Sequence, residues 1–239
     1  MDQPKIIHET SDFWIIDKPA NWLSRTGRDG ADGAPNPFPI VAEWLFQNRL
    51  KNPGEKVFIV HRLDLQTSGV MVYAKTAEMH RKLSMLFEKH QIKKVYEFIA
   101  GGNPTQPVYR CSEPIEGSKA LTQIEVLTRF RNPFYEAFIG RARIETGRRH
   151  QIRIHLKGIG HPILGDVRYG GFENLAYSPP GEPPIQLKIS RVALHAAELS
   201  IPGIGNFRAE KHADFKDWIS WMQNHPPDQK AIHQYRGST

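Results

Sequence analysis

The sequence contains a single cysteine, Cys111, among its 239 residues. One cysteine excludes an internal disulfide and a zinc site built from several cysteines, and it indicates a reducing compartment. We interpret Cys111 as a structural residue. No apolar run approaches the roughly 20 residues needed to cross a bilayer, and the opening segment MDQPKIIHET lacks the basic and apolar regions of a signal peptide. These absences predict a soluble, cytoplasmic protein without a membrane partner.

The sequence also lacks internal repeats, long low-complexity segments and any change of composition typical of a linker. With 39% hydrophobic residues, a chain of this length can bury one large core or two closely packed lobes. We predict one folded domain over residues 1–225 and a polar tail over residues 226–239. No feature of the sequence indicates an obligate protein partner, so we expect a monomer.

Positive charge exceeds negative charge, because 32 Lys and Arg residues face 25 Asp and Glu residues, a formal net charge of +7. The excess is concentrated in residues 141–157, where Glu145 opposes Arg141, Arg143, Arg148, Arg149, Arg153 and Lys157. A second cluster surrounds the end of a predicted helix at Lys89, Lys93 and Lys94. Basic fields of this kind attract polyanions, so nucleic acid is the leading partner. A solubilising surface is the alternative that charge alone leaves open.

The spacing of apolar residues predicts strands mixed with helices. Strands are predicted near residues 13–16, 57–60, 69–73, 94–100, 122–128 and 135–144 and after residue 194, and helices near residues 41–45, 76–90, 150–158 and 215–222. Segments 24–39 and 170–186, rich in Gly and Pro, are predicted loops. Because strands and helices do not alternate regularly, we predict an α+β fold with a mixed, largely antiparallel sheet and flanking helices.

For two of these helices the sequence predicts the capping residue and the buried face in more detail. Thr76 can cap the second helix, whose apolar stripe we assign to the core, namely Met79, Leu83, Leu86, Phe87 and His90. The third helix is ambiguous, because Ile152, Ile154 and Leu156 also alternate as they would in a strand. Its length, Thr146 as a possible cap and the glycines that follow favour a helix.

The string His61-Arg62-Leu63-Asp64, followed by Thr67-Ser68-Gly69, places a carboxylate in a polar turn between two apolar runs. We interpret these runs, residues 57–60 and 69–73, as buried strands that hold the turn at the end of a sheet. A carboxylate held in this way is a candidate catalytic group. An Asp that merely caps a tight turn is the plain alternative, since Asp and Ser are common turn residues.

The whole string HRLDLQTSGVMVYAKT resembles the signature of the RluA-type pseudouridine synthases, which isomerise uridine in RNA by detaching the base and rejoining it through carbon. Two further segments carry the same resemblance: Lys94-Val95-Tyr96, and residues 146–156 with the string HQIR, continuing through residues 160–166. The resemblance implies the pseudouridine synthase fold, base flipping, and a tRNA or ribosomal RNA as partner.

The resemblance also implies roles for individual residues. Asp64 is the catalytic aspartate, Arg153 of the HQIR string is its partner, and Tyr96 packs against the target uracil. Arg62 fills the space that the base leaves, or it contacts a phosphate. Ile152 is a second wall for the base or a core residue. The remaining residues of the expected substrate-binding set are Arg148, Arg149, His150 and Lys94.

Neither a cofactor nor a metal is expected, because the implied reaction is a redox-neutral isomerisation. His150 and His155 are five residues apart, which places them on different faces of a strand and about 140° apart on a helix, unlike a pair that shares a metal. We interpret His61, His161 and His195 as structural hydrogen-bonding residues. The sequence leaves open whether Asp64 attacks C1′ or takes the 2′ proton, and which uridines are modified.

The sequence departs from the family pattern in three places. Asn21 takes the glycine position of a Lys-Pro-Ala-Gly string, Arg149 replaces a usual Thr or Ser, and residues 200–203 lack the His-Pro often found there. The chain begins directly with the region that resembles the catalytic domain, so we expect target choice to come from its loops and basic surface. Two rivals are a catalytically silent RNA-binding protein on the same scaffold and a hydrolase that releases uracil. Such a hydrolase usually needs a water-activating acid or base beside the catalytic carboxylate, and we assign no residue of the motifs to that role.

Overall fold

The computed structural model describes residues 2–25, 37–50, 55–131, 134–178 and 181–225. The strands in these ranges are β1 Lys5–Glu9, β2 Phe13–Lys18, β3 Phe58–Ile59, β4 Ser68–Ala74, β5 Lys93–Gly101, β6 Val108–Cys111, β7 Thr122–Arg131, β8 Glu136–Ile144, β9 Asn174–Tyr177, β10 Ile185–Lys188, β11 Leu194–Ile201 and β12 Gly205–Arg208. The helices are α1 Val41–Arg49, α2 Ala77–Glu88, α3 Gln151–Gly158 and α4 Ala213–Asn224, and a 3-10 helix spans Val167–Tyr169. Across these ranges, every helix is too short or too polar to cross a membrane.

The chain divides into two compact units. The first unit comprises Met1–Val95 and His195–Glu210, and the second comprises Tyr96–Leu194 and Lys211–Thr239. The strands are mostly antiparallel, and helices accompany them without regular alternation. The predicted α+β class is therefore confirmed.

In the first unit the strand order is β1-β2-β4-β11, with β3 beside β4 and β12 beside β11. The pair β4 and β11 is parallel, and β2 is antiparallel to both β1 and β4. Every residue of β4 is buried, and so are five of the six residues of β2. The core of this unit is formed mainly by these two strands, at Trp14, Ile15, Ile16, Met71, Val72 and Tyr73.

Gly69 marks the point where β4 pairs with β11. Its φ is +115°, and a Cβ added there would lie 2.2 Å from the carbonyl oxygen of Ala196, its partner in the parallel pair. Only glycine permits both this conformation and this approach. The glycine of the Thr67-Ser68-Gly69 string is therefore required by the sheet.

In the second unit the strand order is β5-β8-β7-β6, and β9 and β10 form a separate antiparallel hairpin. Phe98 of β5 meets Phe138 of β8 edge-on, with ring centroids 5.7 Å apart. The predicted amphipathic helix near residues 215–222 is confirmed as α4, which buries Phe215, Trp218 and Met222.

The structure confirms most of the helix predictions. α2 begins after Thr76, whose hydroxyl accepts the N–H of Met79 at 3.2 Å. Residues 151–158 form a helix, which resolves the ambiguity of α3. His90, however, lies beyond the end of α2, is exposed and has a φ of +55°. Its place in the apolar stripe of α2 is wrong, because the helix ends before it and the chain turns.

Three predictions about strands and loops are wrong. A strand, β1, precedes the one predicted first, and it was missed because its residues are mainly exposed. β3 covers only two partly exposed residues, so the run 57–60 is not a buried strand. Residues 170–186 contain β9 and the start of β10, because the prolines of this segment lie outside the bounds of both strands. Residues 26–36 of the predicted loop 24–39 and the predicted tail 226–239 lie outside the described residues.

Candidate active site

Asp64 lies in the loop that joins β3 to β4, and it is partly exposed. Its carbonyl accepts the N–H of Thr67 at 3.1 Å, which closes a turn directly after it. Leu63, just before it, is buried and held by Ser24, whose hydroxyl donates to the Leu63 carbonyl at 3.1 Å and accepts the Leu63 N–H at 3.0 Å. Hydrogen bonds, more than the short β3, therefore fix the backbone beside this carboxylate.

Lys18 supports the same loop from the end of β2, where it is fully buried. Its Nζ donates to the carbonyls of Pro19 at 3.0 Å, Trp22 at 2.8 Å and Leu65 at 3.1 Å. An ammonium has three N–H donors, so these bonds match its full capacity. Leu65 directly follows Asp64, and Lys18 thus anchors the far side of the turn. This role of Lys18 was not predicted from the sequence, because its partners are backbone atoms that leave no residue pattern.

Replacing Lys18 by Met should destabilise the protein strongly. The carbonyls of Pro19 and Trp22 would lose the Lys18 donor, and each buried acceptor left unsatisfied costs about 1 to 3 kcal/mol. The Leu65 carbonyl would keep the N–H of Asn21. Urea unfolding should therefore show a loss of about 2 kcal/mol or more in the free energy of unfolding. Lys82→Met, at an exposed position of α2, is the control and should stay within about 0.5 kcal/mol. Equal stabilities of the two variants would contradict the anchoring role.

His61, at the start of the loop, is a structural residue, as predicted. Its ring stacks on Phe87 of α2 with centroids 4.6 Å apart, and its Nε2 accepts the N–H of Val72 at 3.1 Å. Burial, and then the charge of Lys94, lower the pKa of His61 to about 3. The ring is therefore neutral at pH 7, which an Nε2 that accepts a hydrogen bond requires.

Lys94 and its basic neighbours differ in exposure. Lys89 and Lys93 are exposed, whereas Lys94 is 9% exposed and its Nζ lies 5.9 Å from the ring centroid of Phe87. Burial lowers the pKa of Lys94. Of the second basic cluster, Lys89 and Lys93 therefore offer the larger surface to a polyanion.

Tyr96 lies on β5 in the second unit and is 9% exposed. The next residue, Glu97, forms an ion pair with Arg141 at 3.3 Å and another with Lys211. Burial alone would raise the pKa of Glu97, but the hydrogen bonds and charges of Lys211 and Arg141 outweigh it and lower that pKa. The ionised carboxylate of Glu97, paired with Arg141 and Lys211, thus holds β5 in place next to Tyr96.

The start of α3 presents the basic residues of the HQIR segment. Arg148 and Arg149 are exposed, and His150 occupies the N-cap position with φ +57° and ψ +22°. Thr146 is not the cap, so that expectation is wrong. Its hydroxyl donates instead to Oε1 of Gln151 at 2.7 Å, and the same oxygen accepts the N–H of Arg148 at 3.0 Å. The Gln151 side chain thus holds the segment before α3, and the N-cap His150 makes no side-chain capping bond.

Arg153 of α3 is buried and forms a two-bond ion pair with Asp166. Nε donates to Oδ2 at 2.6 Å and Nη2 donates to Oδ1 at 2.8 Å. Asp166 is 1% exposed and Arg153 is 8% exposed. Tyr169 lies three residues further on, with its ring centroid 5.0 Å from the guanidinium carbon. Asp166 ends the 160–166 segment of the family motif and Tyr169 lies just beyond it, and neither was predicted as a site residue.

Comparison with known proteins settles the family. The family model described as RNA pseudouridylate synthase matches residues 12–157, which is more than half of the chain. The chain belongs to the RNA pseudouridylate synthase family. The family that the sequence resembled is thereby confirmed.

Curated relatives in this family include bacterial proteins named ribosomal large subunit pseudouridine synthase D. The one from Pasteurella multocida is 35% identical over 180 residues, which cover 70% of this chain and 52% of the relative. The one from Buchnera aphidicola subsp. Schizaphis graminum is 31% identical and is covered over 72% of its length. An uncharacterized RNA pseudouridine synthase of Aquifex aeolicus is also 31% identical, with 93% of this chain covered. The chain thus spans about half to three quarters of the length of these relatives.

Solved structures of pseudouridylate synthases share the fold. Human RNA pseudouridylate synthase domain containing 4 matches with a TM-score of 0.64 at 22% identity, covering 91% of this chain and 92% of that one. Human RNA pseudouridylate synthase domain containing 1 matches with a TM-score of 0.60 at 20% identity, covering 95% of this chain and 97% of that one. The expected pseudouridine synthase fold is confirmed.

The departure from the pseudouridylate synthase pattern at Asn21 has a backbone explanation. Asn21 has a φ of +61°, a conformation that glycine adopts freely and that Asn tolerates better than most residues. Its N–H donates to the carbonyl of Leu65 at 2.9 Å, next to the Lys18 bond. The substitution therefore preserves the turn that supports the Asp64 loop.

The structure corrects the charge balance predicted for residues 141–157. Arg141 pairs with Glu97, and Arg143 pairs with Glu125 at 3.2 Å, so carboxylates from neighbouring strands oppose them in addition to Glu145. These partners were not visible in a window of sequence, because β-sheet pairing brings them from other segments. The basic surface of this region therefore concentrates at the start of α3.

The two units hold different members of the predicted site. Asp64, Arg62 and Lys94 belong to the first unit. Tyr96, Ile152 and Arg153 belong to the second, together with Arg148, Arg149 and His150. Arg62 is exposed, whereas Ile152 is 4% exposed. Within the described ranges, no group of three or more His, Cys, Asp and Glu side chains is arranged to hold a metal ion.

Proposed function

We propose that this chain is an RNA pseudouridine synthase, an isomerase that converts uridine to pseudouridine in ribosomal RNA. The family match over residues 12–157 carries the proposal, because that range includes Asp64, Tyr96 and Arg153. Relatives from Pasteurella multocida and Buchnera aphidicola are named for the ribosomal large subunit, which favours ribosomal RNA over tRNA. We further propose that the protein acts as a monomer in the cytoplasm, where ribosomal RNA is its RNA partner.

The proposed reaction needs no cofactor and no metal. The C1′–N1 bond of uridine breaks, a C1′–C5 bond forms, C5 loses a proton and N1 gains one. Atoms and electrons therefore balance within the substrate. A uracil inside folded RNA must first leave its stack, which costs a few kcal/mol, and phosphate contacts from basic residues offset this cost.

Asp64 is the proposed catalytic residue and Arg153 its proposed partner. Asp64 must be ionised to attack C1′ or to accept the 2′ proton. A guanidinium stays charged when desolvated and binds a carboxylate with two donors, so it favours the ionised form in a dry site. Support comes from the anchored backbone on both sides of Asp64 and from the burial of Arg153.

Tyr96 is proposed to hold the detached uracil and to remove its C5 proton. Its ring offers a flat apolar wall, and its hydroxyl is the polar group that a proton transfer requires. Ile152 is proposed as a second wall, although its burial also suits a core residue. Arg62 is proposed to fill the space of the flipped base or to contact a phosphate, and its exposure suits either role.

The proposed RNA surface lies at the start of α3. Arg148 and Arg149 are exposed and His150 is partly exposed. Lys94 belongs to the same proposed set, but because it is buried it offers less surface to RNA than Arg148 and Arg149 do.

Replacing Arg148 and Arg149 together by Ala should weaken RNA binding and flatten its salt dependence. Each lost phosphate contact should lower the log–log slope by roughly 0.7 if the bound RNA is locally single-stranded. Filter binding over a range of salt concentrations measures this slope. Arg81→Ala with Lys82→Ala, at exposed positions of α2, is the charge-matched control and should leave the slope unchanged. An unchanged slope in the Arg148 and Arg149 variant would contradict this surface.

The substrate is tested by mapping pseudouridine in ribosomal RNA and tRNA from cells with and without this protein. We expect one or more pseudouridines of the large-subunit ribosomal RNA to disappear without it. Loss confined to tRNA would contradict the ribosomal substrate, and unchanged RNA of both kinds would contradict the proposed activity in those RNAs.

A further inference from the structure

Asp166 fixes one edge of the Arg153 guanidinium. Nε and Nη2 bond to two different oxygens of one carboxylate, at 2.6 and 2.8 Å. Two parallel bonds define both the plane and the direction of a guanidinium, which a single bond would leave free to rotate. Since both side chains are buried, water competes little for these bonds.

The edge taken by Asp166 determines where the other edge of Arg153 points. A guanidinium has five N–H donors, and a second pair of them lies on the edge formed by Nη1 and Nη2. That second edge suits another carboxylate, and Asp64 is the carboxylate that the proposed function assigns to Arg153. Asp166 would thus set the direction in which Arg153 presents its donors.

The ring of Tyr169 lies against the guanidinium of Arg153 and restrains it. Its ring covers Arg153 at 5.0 Å, and its hydroxyl lies 2.9 Å from Nδ1 of His150. The N–H of Tyr169 donates to the carbonyl of Asp166 at 3.0 Å, so one short turn carries both residues. The turn is also tightly packed, because a Cβ added at Gly171 would lie 1.8 Å from the carbonyl oxygen of Ile163.

We propose that Asp166 and Tyr169 are positioning residues that hold Arg153 in its productive orientation. The inference rests on the proposed function, in which Arg153 serves Asp64. Asp166 also balances the charge of a buried guanidinium, which makes burial of Arg153 less costly. Asp166 acts through Arg153 and is not itself expected to touch the substrate.

The chain contains a matched control pair. Arg191 donates to Asp214 through Nε at 2.6 Å and Nη2 at 2.9 Å, and its guanidinium carbon lies 5.3 Å from the ring centroid of Trp218. Burial alone would raise the pKa of Asp214, but the hydrogen bonds and charge of Arg191 outweigh it and lower that pKa. This pair ties α4 to the loop between β10 and β11, and only stability should depend on it.

The test compares Asp166→Asn with Asp214→Asn in pseudouridine formation on large-subunit ribosomal RNA. We expect Asp166→Asn to lower kcat about tenfold or more with KM within about twofold, because a misdirected guanidinium affects the reacting state and not RNA capture. Asp214→Asn should lower Tm while leaving kcat of the folded enzyme unchanged. In an Arg153→Lys background, which lacks the planar donors, Asp166→Asn should cost less than about twofold.

Tyr169→Leu provides an independent measurement if Asp166→Asn does not fold. It should lower kcat without raising KM, and Tyr169→Phe, which keeps the ring, should lose less. Unchanged kcat in the folded Asp166→Asn or Tyr169→Leu variant would overturn the inference, as would an equal loss from Asp166→Asn in the Arg153→Lys background. An inactive wild-type enzyme would contradict the proposed function and this inference with it, whereas an active wild type with an unaffected Asp166→Asn variant would contradict this inference alone.

Discussion

Asp64→Asn is expected to abolish pseudouridine formation while leaving RNA affinity within a few-fold of the wild type. The amide keeps the shape of the carboxylate, but it can neither attack C1′ nor accept the 2′ proton. We expect the single-turnover rate to fall by about 10⁴-fold or more, since no other group in the motifs replaces the lost nucleophile or base. The same variant should still bind RNA, because the proposed phosphate contacts lie on other residues.

Asp12→Asn is the matched control for this experiment. Asp12 is also partly exposed and lies in the loop between β1 and β2. Its substitution should leave the rate unchanged, which excludes a general effect of losing one surface carboxylate. Retained turnover in purified Asp64→Asn protein would show that the catalytic residue lies elsewhere.

Tyr96→Phe is expected to bind RNA normally and to lose most of its product formation. The variant keeps the ring that holds the base and loses the hydroxyl proposed to take the C5 proton. Acid–base catalysis by a positioned side chain contributes about 10²- to 10⁴-fold, so a loss in this range is expected. Tritium release from RNA labelled at uracil C5, measured beside filter binding, separates the two effects.

Two comparisons sharpen the Tyr96 experiment. Tyr96→Ala should also weaken capture of the flipped base, because stacking of a base on an aromatic ring contributes about 1 to 3 kcal/mol. Tyr135→Phe removes a hydroxyl from a tyrosine of equal exposure, 9%, and should leave tritium release unchanged. If Tyr96→Phe releases tritium at the wild-type rate, the hydroxyl does not take the C5 proton, and Tyr96 only stacks on the base.

The features that sequence predicts well here are local ones. Thr76 and the helix that follows it are separated by only a few residues, so the cap and the apolar spacing are visible together. The same is true of β5, whose apolar run ends at two glycines. The α+β class followed from the irregular alternation of such elements.

The errors arise where long-range pairing overrides local pattern. β1 is mostly exposed and exists because it pairs with β2, and β9 exists because it pairs with β10. The partners of Arg141 and Arg143 come from neighbouring strands. A window of sequence contains none of these contacts.

The candidate site divides in the same way. Asp64, Tyr96 and Arg153 were identified because they stand in strings with a family resemblance. Their supports were missed, since Lys18 acts through backbone carbonyls and Asp166 acts through a side chain thirteen residues away. A buried ion pair between a helix and the loop after it has no periodicity that sequence reasoning can detect.

The central claim is most directly tested by nucleoside analysis of unmodified large-subunit ribosomal RNA incubated with the purified wild-type protein. The account predicts that each uridine lost appears as pseudouridine, with no free uracil and no effect of a chelator. Free uracil with abasic sites would identify a hydrolase, and bound but unchanged RNA would identify a catalytically silent RNA-binding protein. Either result would contradict the proposed isomerisation.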